Sequence, residues 1–208
     1  NPAKGARSLT AFIVPTDLDG IEIVSKMDKM GQRASVQNEI KYHDVEIPVE
    51  NRLGQEGRGF VVAMKTFDRT RTGVAALSLG AAREAFEISK QWAKERIQFG
   101  KPIAANQAVA FMLADMATEI EAARMITWRA AWAYDTGQKD LGTLSAMSKL
   151  YASDVAMKAA TDAVQVMAGD GYSKDYPVEK IMRDVKLCQI YEGTNQVQRL
   201  VISKGILK

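Results

Sequence analysis

The chain predicts a mainly α-helical fold, an antiparallel four-helix bundle preceded by a partial β domain. Two observations carry that expectation. From Gly57 onward apolar residues recur every three or four positions, in long runs broken only by Gly and Pro. Before residue 50 they alternate in short runs rich in Ile and Val. The change falls in "ENRLGQEG", residues 50–57. The chain is therefore divided into 1–53, the C-terminal part of a β domain, and 54–208, a helical bundle.

Taken in order, "SLTAFIV" (8–14) reads as a strand stopped at Pro15, and "GIEIV" (20–24) as a second. "NEIKYHDVEIP" (38–48) reads as a third, with Ile40, Tyr42 and Val45 on its apolar side. Three strands with an exposed face make a poor independent sheet. They are expected to complete a sheet whose other strands lie outside these residues. A first long helix is expected up to Gly100, read as its C-terminal cap with Pro102 beyond. The second carries Val109, Met112, Met116, Ile120 and Ala123 on one face and ends at Gly137. The third ends at Gly169 and Gly171, a shorter one starts at Pro177, and the last starts near Thr194. Short connections between long helices make neighbours antiparallel.

Bulk properties narrow the function. Net charge is +3, with Lys and Arg scattered, which gives poor support to nucleic-acid binding by a basic stripe. No apolar run reaches membrane-spanning length. The opening "NPAKGARSLT" lacks a Met and the apolar centre of a leader, and reads as the start of a piece of something longer. The single Cys188 excludes an internal disulfide and suits a reducing compartment.

Most candidate chemistry has a plain explanation. His43, the only histidine, reads as a strand-surface residue, and Cys188 as an inert buried thiol with no second histidine to activate it. No His/Cys cluster has zinc spacing, so no metal is expected. "GQEGRGF" (54–60) lacks a following Lys-Ser/Thr and reads as a turn into a helix.

Three stretches remain. In "ERIQFGKP" (95–102) an arginine could hold an anion while Phe99 packs on something flat, or simply complement a helix C-terminus. In "FDRTR" (67–71) Asp68 and Arg71 stand three apart, as a surface ion pair or as a clamp on a polar ligand. In "IYEGTNQVQR" (190–199) Glu192 precedes a helix capped by Thr194. Free N–H groups at such a helix start favour negative charge and can donate to a ligand oxygen. A carboxylate set there could act as a general base, or be an ordinary capping-region glutamate.

Together with "MGQRASVQNEIKYHDVEIPVENRLGQEGRGF", "IAANQAVAFMLADM" and "TDAVQVMAGDGYSKDYPVEKIMRDVK", these stretches resemble the acyl-CoA dehydrogenase family in order and spacing over essentially the whole chain. The resemblance implies the last part of that family's β domain plus its whole C-terminal bundle. It implies that Glu192 removes the proton α to an acyl-CoA thioester, the β hydride passing to flavin N5. The Glu192 N–H would donate to the thioester carbonyl. In the isovaleryl- and long-chain branch the base sits where this chain has Thr70, so the arrangement is similar to that of short- and medium-chain members. By the same resemblance Phe67, Asp68 and Arg71 line the CoA channel, and Tyr191 and Gly193 flank the base. Thr194 and Gln196 would contact FAD within one protomer. Arg96, Gln98, Phe99, Gln107 and the stretch from Gln165 through Ala168 and Gly169 would reach the FAD of a neighbouring one.

The implied cofactor is FAD, the assembly a homo-oligomer, usually a dimer of dimers, and the electron acceptor an electron-transfer flavoprotein. A bacterial cytoplasm or a mitochondrial matrix fits equally. Ala168-Gly169 replaces the Gly-Gly of many members, and Gln98 replaces a hydroxyl residue. The stretch that packs on the flavin ring in the family would lie before residue 1. The alternative expectation is a non-catalytic helical oligomerisation module carrying part of a FAD site.

Overall fold

The structure, a computed structural model, describes residues 2–207. It forms two compact units, one up to Phe67 and one from Asp68 onward.

The first unit holds four short strands: β1 (Ala11–Phe12), β2 (Ile21–Lys26), β3 (Asn38–Tyr42) and β4 (Arg52–Leu53). They make two separate antiparallel ladders, β1 with β4 and β2 with β3, rather than one sheet built from three runs. The run over 38–48 leaves extended geometry early because Asp44 takes φ 47°. The His43 N–H then closes on the Gly20 carbonyl at 2.8 Å. Gly20 itself sits at φ 85°, and a Cβ there would lie 2.2 Å from the His43 carbonyl oxygen, so only glycine fits this crossing. His43 is exposed and pairs with Glu22 at 2.9 Å.

Helix α1 (Gly59–Glu95) carries the chain from the first unit into the second; at 1.5 Å per residue it is about 55 Å long. It stops short of the expected Gly100. Residues Ile97–Gln98 (β5) and Lys101–Pro102 (β6) form a tight hairpin instead. Its two turn residues, Phe99 and Gly100, both have positive φ, 51° and 77°. Such a turn matches the twist of paired strands, which explains why Gly100 closes a hairpin and does not cap a helix. Then follow α2 (Gln107–Asp135), α3 (Leu141–Tyr172), α4 (Val178–Lys186) and α5 (Asn195–Ile206).

In the second unit α2, α4 and α5 all pack on α3. That central place explains why α3 is apolar or small around most of its girth. Its Ala152, Ala156, Ala159, Ala160 and Ala163 are buried in one core with Ala75, Leu79 and Ala82 of α1 and with Met116, Ile120 and Ala123 of α2. Small side chains let the helices approach closely and lie dry at little conformational cost. Val178 and Val185 of α4 join the same core. α3 does not end at Gly169. It runs to Tyr172 across a break at Ala168, whose φ of 53° and ψ of −130° are not helical.

Candidate functional site

The first locus is the turn between α4 and α5. A single 3-10 turn, Leu187–Gln189, leads out of α4, and the Tyr191 N–H bonds back to the Leu187 carbonyl at 3.1 Å. Glu192 and Gly193 then take φ 54° and 90°, which reverses the chain. A side chain at positive φ is uncommon, so Glu192 is held by its surroundings. Thr194 caps α5, accepting from the Val197 N–H at 3.4 Å.

The surroundings grip the turn at three points. The Glu192 carboxylate Oε2 accepts from the Thr70 hydroxyl at 2.7 Å. The Glu192 carbonyl accepts from Arg71 Nε at 3.4 Å and Gln198 Nε2 at 3.2 Å. The Gly193 carbonyl accepts from Gln198 Nε2 at 2.7 Å and Lys149 Nζ at 2.9 Å. Arg71 is buried and also donates to Asp68 at 3.3 Å. Glu192 itself is half-buried, so a carboxylate on a reversed turn is fixed at its tip and behind its backbone while it keeps access to solvent.

Behind the turn lies a buried polar chain. Lys149, on α3, has no exposed surface, and its Nζ also donates to Asn195 Oδ1 at 2.8 Å. Asn195 Nδ2 donates to Ser153 Oγ at 2.9 Å and to Asp154 at 2.7 Å, and Gln189 reaches Asp154 at 2.7 Å. Burial pushes the Lys149 ammonium down to about 8, against the raising effect of Cys188, Asp154 and Glu192 and with a lowering push from Arg71. Cys188 is buried, its sulfur 3.8 Å from the Tyr191 hydroxyl.

The second locus is a cleft of about 530 Å³ between the hairpin that follows α1 and the break in α3. Arg96, Gln98, Phe99, Ala168 and Gly169 all line it. The Phe99 ring stands at the hairpin tip, 96 % exposed. The Arg96 guanidinium lies 5.7 Å from the centroid of the Trp92 ring, which also lines the cleft. A cation, an amide and an uncovered ring on one concave wall suit a ligand that is anionic in one part and flat in another.

Residues 57–207 match the family "Acyl-CoA dehydrogenase, C-terminal domain". The chain belongs to the acyl-CoA dehydrogenase family. It is 48 % identical over 206 residues to an acyl-CoA dehydrogenase of Bacillus subtilis, covering 99 % of this chain and 54 % of that protein. It is 46 % identical over 205 residues to a cyclohexane-1-carbonyl-CoA dehydrogenase of Geobacter metallireducens, covering 99 % of this chain and 54 % of that protein. The solved butyryl-CoA dehydrogenase of Megasphaera elsdenii superposes with a TM-score of 0.97 at 45 % identity, over 100 % of this chain and 54 % of that one. The chain thus spans about half the length of these relatives.

Within this acyl-CoA dehydrogenase fold, the residues singled out from sequence fall into two groups. Asp68, Arg71, Glu192, Gly193 and the Thr194 cap meet at the turn, with half-buried Tyr191 beside it in sequence and Gln196 exposed on the first turn of α5. Phe67 sits half-buried on α1 immediately before Asp68. Arg96, Gln98, Phe99, Ala168 and Gly169 meet at the cleft. Gln107 and Gln165 do not line it, although their neighbours Asn106 and Val166 do. Sequence reading missed Lys149, Asn195, Gln198 and the Thr70 hydrogen bond. One signal was available for Lys149: Ser145, Lys149 and Ser153 form a polar stripe at four-residue spacing along a helix otherwise rich in Ala. Among the described residues no group of three His, Cys, Asp or Glu could hold a metal, and no helix is long and apolar enough to cross a membrane.

Proposed function

We propose that this chain carries the proton-abstracting part of an FAD-dependent acyl-CoA dehydrogenase of the short- or medium-chain arrangement. The observation that carries the reading is the Glu192 carboxylate, bonded by Thr70 at 2.7 Å on a turn whose carbonyls are tied from behind. The C–H beside a thioester is weakly acidic because charge left on carbon spreads to the carbonyl oxygen. Glu192 takes that proton as general base. Its own N–H donates to the carbonyl oxygen where charge builds. The Thr70 hydroxyl aims the carboxylate, and Tyr191 and Gly193 bound the acyl chain beside it. Phe67, Asp68 and Arg71 line the path of the CoA moiety.

The cleft wall fits FAD. The Arg96 guanidinium suits a diphosphate, the uncovered Phe99 ring suits a flat heterocycle, and the irregular backbone at Ala168 opens one wall. Bound FAD would supply the hydride acceptor for the β carbon. In this reading Arg96, Gln98, Phe99, Gln107, Gln165, Ala168 and Gly169 hold a neighbouring protomer's FAD, and Thr194 and Gln196 hold the protomer's own. Homo-oligomeric assembly follows, and the exposed apolar face of Met125, Trp128 and Trp132 on α2 supports it. An electron-transfer flavoprotein is the acceptor implied by the resemblance.

In the full-length enzyme Glu192→Gln should lower acyl-CoA-dependent dye reduction about 1,000-fold and leave the flavin bound, a loss of general-base size. Near-normal turnover in that variant would remove Glu192 from the mechanism. A second reading, an oligomerisation module without catalysis, draws on the chain's spanning about half the length of its relatives. A yellow, active preparation of the 208 residues by themselves rules it out.

A further inference from the structure

Lys149 belongs to no element of the function proposed above, yet it is the most costly residue near the turn. It is the largest side chain in the second unit with no exposed surface, and it is a lysine. Burying an ammonium is unfavourable unless close partners return the lost hydration. The partners here are few and specific. Its Nζ donates to the Gly193 carbonyl at 2.9 Å and to Asn195 Oδ1 at 2.8 Å, one residue on each side of the Thr194 cap. Both acceptors therefore belong to the reversal that aims Glu192.

We propose that Lys149 is a positioning residue for the Glu192 base: from inside the bundle its Nζ pins Gly193 and Asn195, and so holds Glu192 in the left-handed conformation that brings its carboxylate to Thr70. Without that pin, one donor, Gln198 Nε2, serves the Gly193 carbonyl alone, while it also serves the Glu192 carbonyl. Two successive residues at positive φ, one of them not glycine, are then held by Thr70, Arg71 and Gln198 without the tie to α3. The titratable and charged groups facing Lys149 are Asp154 of its own helix, Cys188 from the turn after α4, Arg71 from α1 and Glu192 itself. Asn195 keeps its own bonds to Ser153 and Asp154 of α3, so what Lys149 adds is the tie from α3 to the Gly193 carbonyl.

The catalytic part of the test rests on the function proposed above; the exchange part does not. Lys149→Met keeps the length and bulk of the side chain and removes its donors. In the full-length holoenzyme kcat should fall about 100-fold, the cost of a small misplacement, with KM moving less than about twofold. Amide hydrogen exchange over 190–195 should speed up at least tenfold while α2 stays as protected as in wild type. Unchanged exchange over 190–195 in a folded variant overturns the proposal, whatever the enzyme's substrate.

If the variant does not fold, wild type supplies the second measurement. Lys149 holds its proton less firmly inside than in water, about 8 against 10.5. An opening of the turn that hydrates Lys149 takes up a proton between those values, so closure is favoured as pH rises through them. Protection of 190–195, corrected for intrinsic exchange, should therefore increase between pH 8 and 10.5. A flat profile overturns the proposal. If wild type shows no acyl-CoA oxidation but exchange behaves as stated, the pin stands and the assigned reaction fails.

Discussion

At the scale of single residues, the two loci share one device. Each is built around a non-glycine residue held at positive φ: Glu192 at 54° in the turn, and Ala168 at 53° and Phe99 at 51° around the cleft. Such conformations cost about 1–3 kcal/mol each and persist where the surroundings dictate them. At Ala168 the side chain is an exposed methyl group, so little packing is at stake. Ala168→Gly should therefore raise stability by about 1 kcal/mol, the relief of strain exceeding the entropy of an added glycine. A urea midpoint that falls instead would show that the Ala168 methyl makes a contact worth more than its strain. Glu192 was legible in sequence because an acid, a glycine and a cap stand side by side. Its strain was not, because a φ above zero at an L-residue leaves no mark in the residue type. Lys149 stayed hidden for another reason: it meets Gly193 across 44 positions of sequence, and no local pattern records such a meeting.

At the scale of elements, the long helices and the first three strands were legible, and β4, β5 and β6 were not. Helical period repeats many times over α1, α2 and α3, and Gly and Pro mark their ends within a few residues. The hairpin of Ile97–Gln98 and Lys101–Pro102 has two residues a side, too few for any period to show, and so "RIQFG" read as the tail of a helix. In the first unit the same shortness hid β4, whose two residues pair with β1. Packing of α5 on α3 sets the other limit. A Cβ at Gly205 would lie 2.1 Å from Thr143 Oγ1 and 3.2 Å from its Cβ and Cγ2, so that stiff side chain would have to turn and shift to make room. Gly205→Ala should destabilise by about 1–3 kcal/mol from overpacking, more than the gain of about 1 kcal/mol in helix propensity. Equilibrium unfolding in urea checks the sign. Because α5 begins at the Thr194 cap, its docking on α3 also steadies the turn that precedes it.

At the scale of the whole molecule, the second unit is a core of small side chains with its polar chemistry at the edges. Fold class and family were written into the sequence as ordered stretches. The allocation of residues to two loci came from the resemblance and from no local pattern, since it depends on how α3 bends at Ala168 and on where the chain turns after α4. The three tryptophans divide in a useful way. Trp92 is half-buried and meets Tyr176 edge-on at 5.3 Å, whereas Trp128 and Trp132, one helical turn apart on α2, are 60 % and 57 % exposed. Two of the three indoles thus stand in water on one stripe, and the protein carries its own optical gauge. A dilute sample should fluoresce at the red end of the indole range. A blue shift with rising concentration would report that another surface has come to cover α2, without any added dye.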